Sequence, residues 1–149
     1  MYPLRDDKPI LKDNLVQIVR ACEAAGITRV EIGYSGSGDS GSINQSCFFP
    51  PQEPAALSQI IVAQKVKEYQ LDPEAKTQNI NIINRELNLE EAVDCYFYDT
   101  CHCYDIDFNG DGCEGTYVIN LIESKLEVEN EVFYTKSECH SFKEDIDLV

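Results

Sequence analysis

The chain has 149 residues, enough for one domain with a real hydrophobic core. Its 27 acidic residues against 12 basic ones give a formal net charge of −15, with no Lys/Arg cluster. This excludes the basic surface that direct binding to nucleic acid or an anionic membrane requires, and no apolar run approaches the roughly 18 residues of a membrane span.

Residues 9–25 read as a helix, because Leu11, Leu15, Ile18, Val19 and Cys22 recur at spacings of three and four. Pro9 suits the first turn and Gly26 a left-handed cap. Residues 28–34 read as a strand, with Val30, Ile32 and Tyr34 alternating with Arg29, Glu31 and Gly33. A glycine-rich turn at 35–41 leads to a second strand at 42–49, stopped by Pro50-Pro51. Residues 54–70 read as a helix burying Leu57, Ile60, Ile61 and Val66. Residues 71–86 are ambiguous: Asn79, Asn81 and Asn84 weaken a helix, while Ile80, Ile82 and Ile83 demand burial.

Asn88 followed by Glu91 is a capping-box pattern that opens a third helix, with Leu87 and Ala92 as its hydrophobic staple. Leu89, Val93, Tyr96 and Phe97 form its apolar face. The last third reads as a β-meander. Strands are predicted at 104–108 and 116–122, around Leu126 and Val128, and at 132–134, with turns at 109–115 and 128–131. Residues 1–7 read as a frayed start and 144–149 as a mobile acidic tail. The sum is a single α+β domain over residues 1–149, an antiparallel sheet with two to three helices packed on one face.

Six of the eight glycines fall in two segments of the form G-x-G-x-x-G, at 36–41 and 110–115. A dinucleotide site needs a helix directly after such glycines. Here Ser42-Ile43-Asn44-Gln45 and Thr116-Tyr117-Val118-Ile119 follow instead, so that reading is rejected. The two segments read as similar strand–turn–strand units paired in one sheet. Gly38-Asp39-Ser40-Gly41 also matches the nucleophile segment of chymotrypsin-like proteases. A chain of this length with His102 and His140 as its only histidines gives no support for the triad.

Asp105, Asp107, Asn109 and Asp111, with Gly110, resemble the start of an EF-hand calcium loop, but Thr116 stands where the bidentate Glu belongs. They are the candidate ligands for a divalent cation. Cys95, Cys101, His102, Cys103, Cys113, Cys139 and His140 are the candidate ligands for zinc, although Cys101-His102-Cys103 is too tight for a standard knuckle. An odd count of seven cysteines without a secretory leader reads as reduced thiols in the cytoplasm.

Three segments carry a family resemblance: Ala24-Ala25-Gly26-Ile27-Thr28-Arg29-Val30, Tyr34 to Ile43 with its Y-x-G-x-G-D-S-G pattern, and Asn109 to Asn120. Over residues 8–49 and 87–135 the chain resembles an uncharacterised domain family of phage, plasmid and other mobile-element proteins. The resemblance implies a cytosolic accessory protein acting against host defence. The expected function is therefore that of a non-enzymatic acidic binding protein, an inhibitor of a bacterial defence system. Its partner is expected to be a host defence protein with a basic surface, or a small signalling ligand that it sequesters. The expected contact residues are Tyr34, Gly36, Gly38, Asp39, Ser40, Gly41, Asp111 and Glu114, since exposed turns on a rigid sheet commonly carry function. The alternatives are a metal-binding protein or metal-dependent enzyme, and a homo-oligomer assembled through the meander edge.

Overall fold

The computed structural model describes residues 8–133 and 138–148. The chain runs α1 (Lys8–Ala24), β1 (Arg29–Ser37), β2 (Ser40–Phe49), α2 (Pro54–Gln59), β3 (Ile61–Asp72), β4 (Thr77–Asn88), α3 (Leu89–Thr100), a 3-10 turn (Cys101–Tyr104), β5 (Cys113–Asn120), β6 (Lys125–Val132) and β7 (Glu138–Asp145). Five strands form an antiparallel sheet in the order β2-β1-β5-β6-β7, and β3 and β4 form a separate two-stranded ribbon. This is the α+β architecture expected from the pattern of elements.

Alternation sorts the sheet residues onto two faces. Val30, Ile32 and Tyr34 of β1, Cys113, Tyr117 and Ile119 of β5, and Leu126, Val128 and Asn130 of β6 are all buried on the inner face. Against them lie α1, through Leu11, Leu15, Ile18, Val19 and Cys22, and α3, through Leu89, Ala92, Val93, Tyr96 and Phe97. Phe97 is the hub, with ring centroids 5.1 Å from Tyr34 and 5.2 Å from Tyr117. Such tilted and edge contacts add to the area each ring removes from water. The cap of α3 forms as the sequence predicts: Asn88 Oδ1 accepts from Glu91 N at 2.9 Å, and Leu87 and Ala92 are both buried.

Several expectations are corrected. The helix predicted at 54–70 ends at Gln59, and the chain turns extended from Ile61. The buried set there is Val62, Gln64 and Val66, a period of two that the polar Gln64 conceals. The ambiguous stretch becomes β4, which pairs with β3 along its whole length. The strand predicted at 104–108 is instead a 3-10 turn followed by a left-handed Asp105 (φ 56°) and irregular chain. No turn breaks at 128–131, because β6 runs on to Val132. Of the strand predicted at 132–134, Val132 ends β6 and Tyr134 lies outside the described residues. The glycine segment at 35–41 is mostly strand, with the reversal confined to Gly38-Asp39. The predicted tail is tied down: Glu144 and Asp145 belong to β7, Ile146 N donates to Ser124 O at 2.7 Å, and Ile146 and Leu148 pack on the core. The frayed start predicted at 1–7 lies outside the described residues.

A side-chain clamp sets the ribbon against α1. Asn14 is buried on the helix, and its Nδ2 donates to Lys65 O at 3.0 Å while its Oδ1 accepts from Lys65 N at 2.8 Å. In return Gln64 Nε2 donates to Asn14 O at 3.1 Å. An asparagine amide here stands in for a neighbouring strand. Asn14→Ala removes the partners of both backbone groups of Lys65, so urea unfolding is expected to show a loss of about 1–3 kcal/mol, with faster amide exchange across β3 and β4. Unchanged stability and exchange would show that the clamp carries no weight.

Candidate functional site

The two glycine segments meet in space. Gly38 (φ 59°) and Asp39 (φ 66°) form a two-residue hairpin turn whose central residues both need positive φ. The loop 105–112 lies across this hairpin. Gly38 N donates to Gly110 O at 2.9 Å and Asp39 N donates to Phe108 O at 3.0 Å. The Phe108 ring rests on Gly36 and Gly41: a Cβ on either would overlap that ring. A Cβ on Gly112, itself at φ 84°, would overlap the Gly36 carbonyl, and one on Gly115 would overlap the Glu129 carbonyl and the Tyr34 hydroxyl. The sequence pattern thus encodes a close backbone approach. The turn's N–H groups are already bonded within the protein.

Tyr34, expected as a contact residue, is a core residue at 1% exposure. Its hydroxyl donates to Asn130 Oδ1 at 2.9 Å, and Asn130 Nδ2 donates onward to Asp105 O at 2.9 Å. Burial, reinforced by the neighbouring Cys113 and Cys101, holds this phenol protonated well above its ordinary range. Asp39, Ser40 and Asp111 are exposed at the turns.

The candidate cation residues lie along the same loop. Asp107 Oδ1 accepts from Asn109 N at 2.9 Å, and Asp105 Oδ2 lies 3.3 Å from His140 Nδ1. Among the described residues, no three His, Cys, Asp or Glu side chains converge in a set that could hold a metal ion. The candidate zinc residues are dispersed: Cys113 is buried on β5, Cys95 and Cys101 are half-buried beside α3, and Cys103 and Cys139 are exposed. No two of the seven cysteines are joined by a disulfide. Burial, with Glu23 nearby, pushes the Cys22 thiol up to about 12, which makes it an inert core residue.

The largest chemical feature is the sheet face turned away from the helices. Register and alternation put Glu31 of β1, Glu114 of β5, and Glu127, Glu129 and Glu131 of β6 on this face. Glu114 stands directly opposite Glu131, and Glu129 opposite Thr116. Like charges directly opposed on a sheet destabilise it. Arg29 Nε donates to Glu31 Oε1 at 2.7 Å, and Lys143 stands opposite Glu127, so the basic residues are grouped at one end. Around Gly33, where β1 and β2 shift register, the face holds a shallow concavity of about 630 Å³. Asn44, Gln45, Glu114, Thr116, Glu129 and Glu131 line it. Of the contact residues expected from the sequence, Tyr34 and Glu114 line it. The Glu127-Val128-Glu129-Asn130-Glu131 alternation was the signal for the rest.

These features define a small α+β protein with helices on one side of its sheet and an acidic face on the other. Residues 10–144 match a family of unknown function, DUF6878, and the chain belongs to that family. Comparison with curated proteins and with solved structures gives no match.

If the glycine segments serve close packing, Gly41→Ala costs about 1–3 kcal/mol through overlap with Phe108. Phe108→Ala in the same chain should then recover part of that cost, giving a coupling of at least about 0.5 kcal/mol in chemical denaturation. Strictly additive costs would contradict the contact.

Proposed function

We propose that this chain is a non-enzymatic binding protein that docks its acidic sheet face on a basic surface of a partner protein. The observation that carries this reading is the concentration of Glu31, Glu114, Glu127, Glu129 and Glu131 on one uncovered face of a rigid sheet. Repulsion between Glu114 and Glu131 lowers stability in the unbound protein. A lysine- or arginine-rich partner relieves it, so binding gains what folding gave up. Polar groups around the concavity, Asn44, Gln45 and Thr116, supply hydrogen bonds that fix orientation. A net charge of −15 steers a cationic partner over a distance of roughly a Debye length, about 8–10 Å in ordinary salt.

The resemblance to mobile-element proteins supports a more specific version: the partner is a host defence protein, and occupation of its basic surface blocks it. A surface that normally holds nucleic acid has the matching charge. Sequestration of a small signalling ligand is less favoured by this face, because an anionic ligand is repelled by it.

The test is affinity capture from bacterial lysate followed by native mass spectrometry. A stoichiometric basic protein is expected, with an affinity that falls steeply as salt rises. The triple variant E114K/E129K/E131K changes outward side chains and should keep its fold while binding at least about tenfold more weakly. Binding that is indifferent to salt and to these three substitutions would overturn the reading.

A further inference from the structure

One glycine has no part in the close packing of the glycine turns. Of the eight glycines, four take positive φ, and at three more an added Cβ would come within 3.0 Å of a neighbouring atom. Gly33 belongs to neither group. Its φ lies outside the left-handed region. A Cβ built on it would meet only the Gln45 side chain, at 3.5 Å, an ordinary van der Waals contact. The register shift beside it leaves Asn44 of β2 as the extra residue, so the bulge does not require Gly33 either. A glycine inside a strand weakens it, through backbone entropy and a missing side chain. What Gly33 provides in return is space.

That space lies on the outer face of the sheet. Gly33 stands between Gln45 of β2 and Thr116 of β5, and Thr116 stands opposite Glu129 of β6. One row across the sheet therefore runs Gln45, Gly33, Thr116, Glu129. The next row on the same face sets Glu114 opposite Glu131. Gly33 is thus a floor of bare backbone in the concavity of about 630 Å³, with these five side chains around it. Among the described residues, none of the three carboxylates is held in an ion pair.

We propose that this hollow receives a single arginine side chain of the basic partner, its guanidinium lying flat on the Gly33 backbone. The proposal rests on the acidic-face reading above and adds the chemistry of the anchoring residue. Charge selects a cation, because Glu114, Glu129 and Glu131 surround the floor. Shape and donor count select arginine over lysine. A guanidinium is planar, weakly hydrated and carries five N–H donors. The three carboxylates and the Gln45 and Thr116 side-chain oxygens are acceptors for them, and paired bonds to a carboxylate suit the guanidinium fork. An ammonium is compact, strongly hydrated and has three donors, so it gains less from a flat floor. A side chain at position 33 would lift the guanidinium plane off that floor.

Capped tetra-arginine and tetra-lysine peptides carry the same charge, so calorimetric titration of the full chain with each separates the hollow from the general charge of the face. The arginine peptide is expected to bind at least about fivefold tighter. Gly33→Val fills the floor and should bring the two peptides within about twofold of each other. Gly33→Ala should shrink the preference to below about threefold, and it carries the test if the valine variant fails to fold. The alanine variant should also unfold at a urea midpoint no lower than that of the unsubstituted chain, because nothing in the fold needs this glycine. Equal affinity for the two peptides, a preference that survives both substitutions, or a lower midpoint in Gly33→Ala would each overturn the arginine site. Acidic-face docking would still stand in those cases if both peptides bind and lose affinity with salt. No binding of either peptide at about 5 mM would overturn both.

Discussion

The structure depends on four missing side chains. With no Cβ at Gly36, Gly41, Gly112 and Gly115, the loop 105–112 settles onto the β1–β2 hairpin and Phe108 covers it. That contact brings β5 beside β1, with Gly36 opposite Cys113 and Tyr34 opposite Gly115. It also leaves room for the Tyr34 hydroxyl to reach Asn130 under β6. The strand order β2-β1-β5-β6-β7 and the separation of the two sheet faces follow from that junction.

Once the junction is made, the two faces have opposite chemistry. The inner face is apolar and aromatic, closed by α1 and α3. The outer face collects glutamates from β1, β5 and β6 that are distant in sequence. Neither cluster needs the other for its chemistry, but both need the same register, because a slip of one residue would exchange the faces of a strand. The glycine pattern is thus an architectural signature, and the charge pattern is the one on which the proposed binding role rests.

Much of this was legible in the sequence where one physical signal dominated. The apolar spacing of α1, the Asn88 cap of α3 and the alternation in β1 each predict the element that forms. The ribbon was harder to read. Leu57, Ile60, Ile61 and Val66 mimic helical spacing, and Gln64 is buried only because Asn14 on another element bonds beside it. Residues 105–111 fit a polar turn and a cation loop alike, because Asp, Asn and Gly serve both. The packing of Gly112 on Gly36 joins residues distant in sequence, and no local pattern announces it. The acidic face was written in Glu127, Glu129 and Glu131, but a turn placed at 128–131 broke the alternation that aligns them.

The most direct test of the central claim is carboxylate footprinting of the chain with and without its captured basic partner. Carbodiimide-driven labelling would be read residue by residue by mass spectrometry. Loss of labelling at Glu114, Glu129 and Glu131, with Asp39 and Asp111 still labelled, is the predicted result. Protection of Asp39 and Asp111 with Glu129 and Glu131 still open would contradict it, and would return the binding role to the glycine turns.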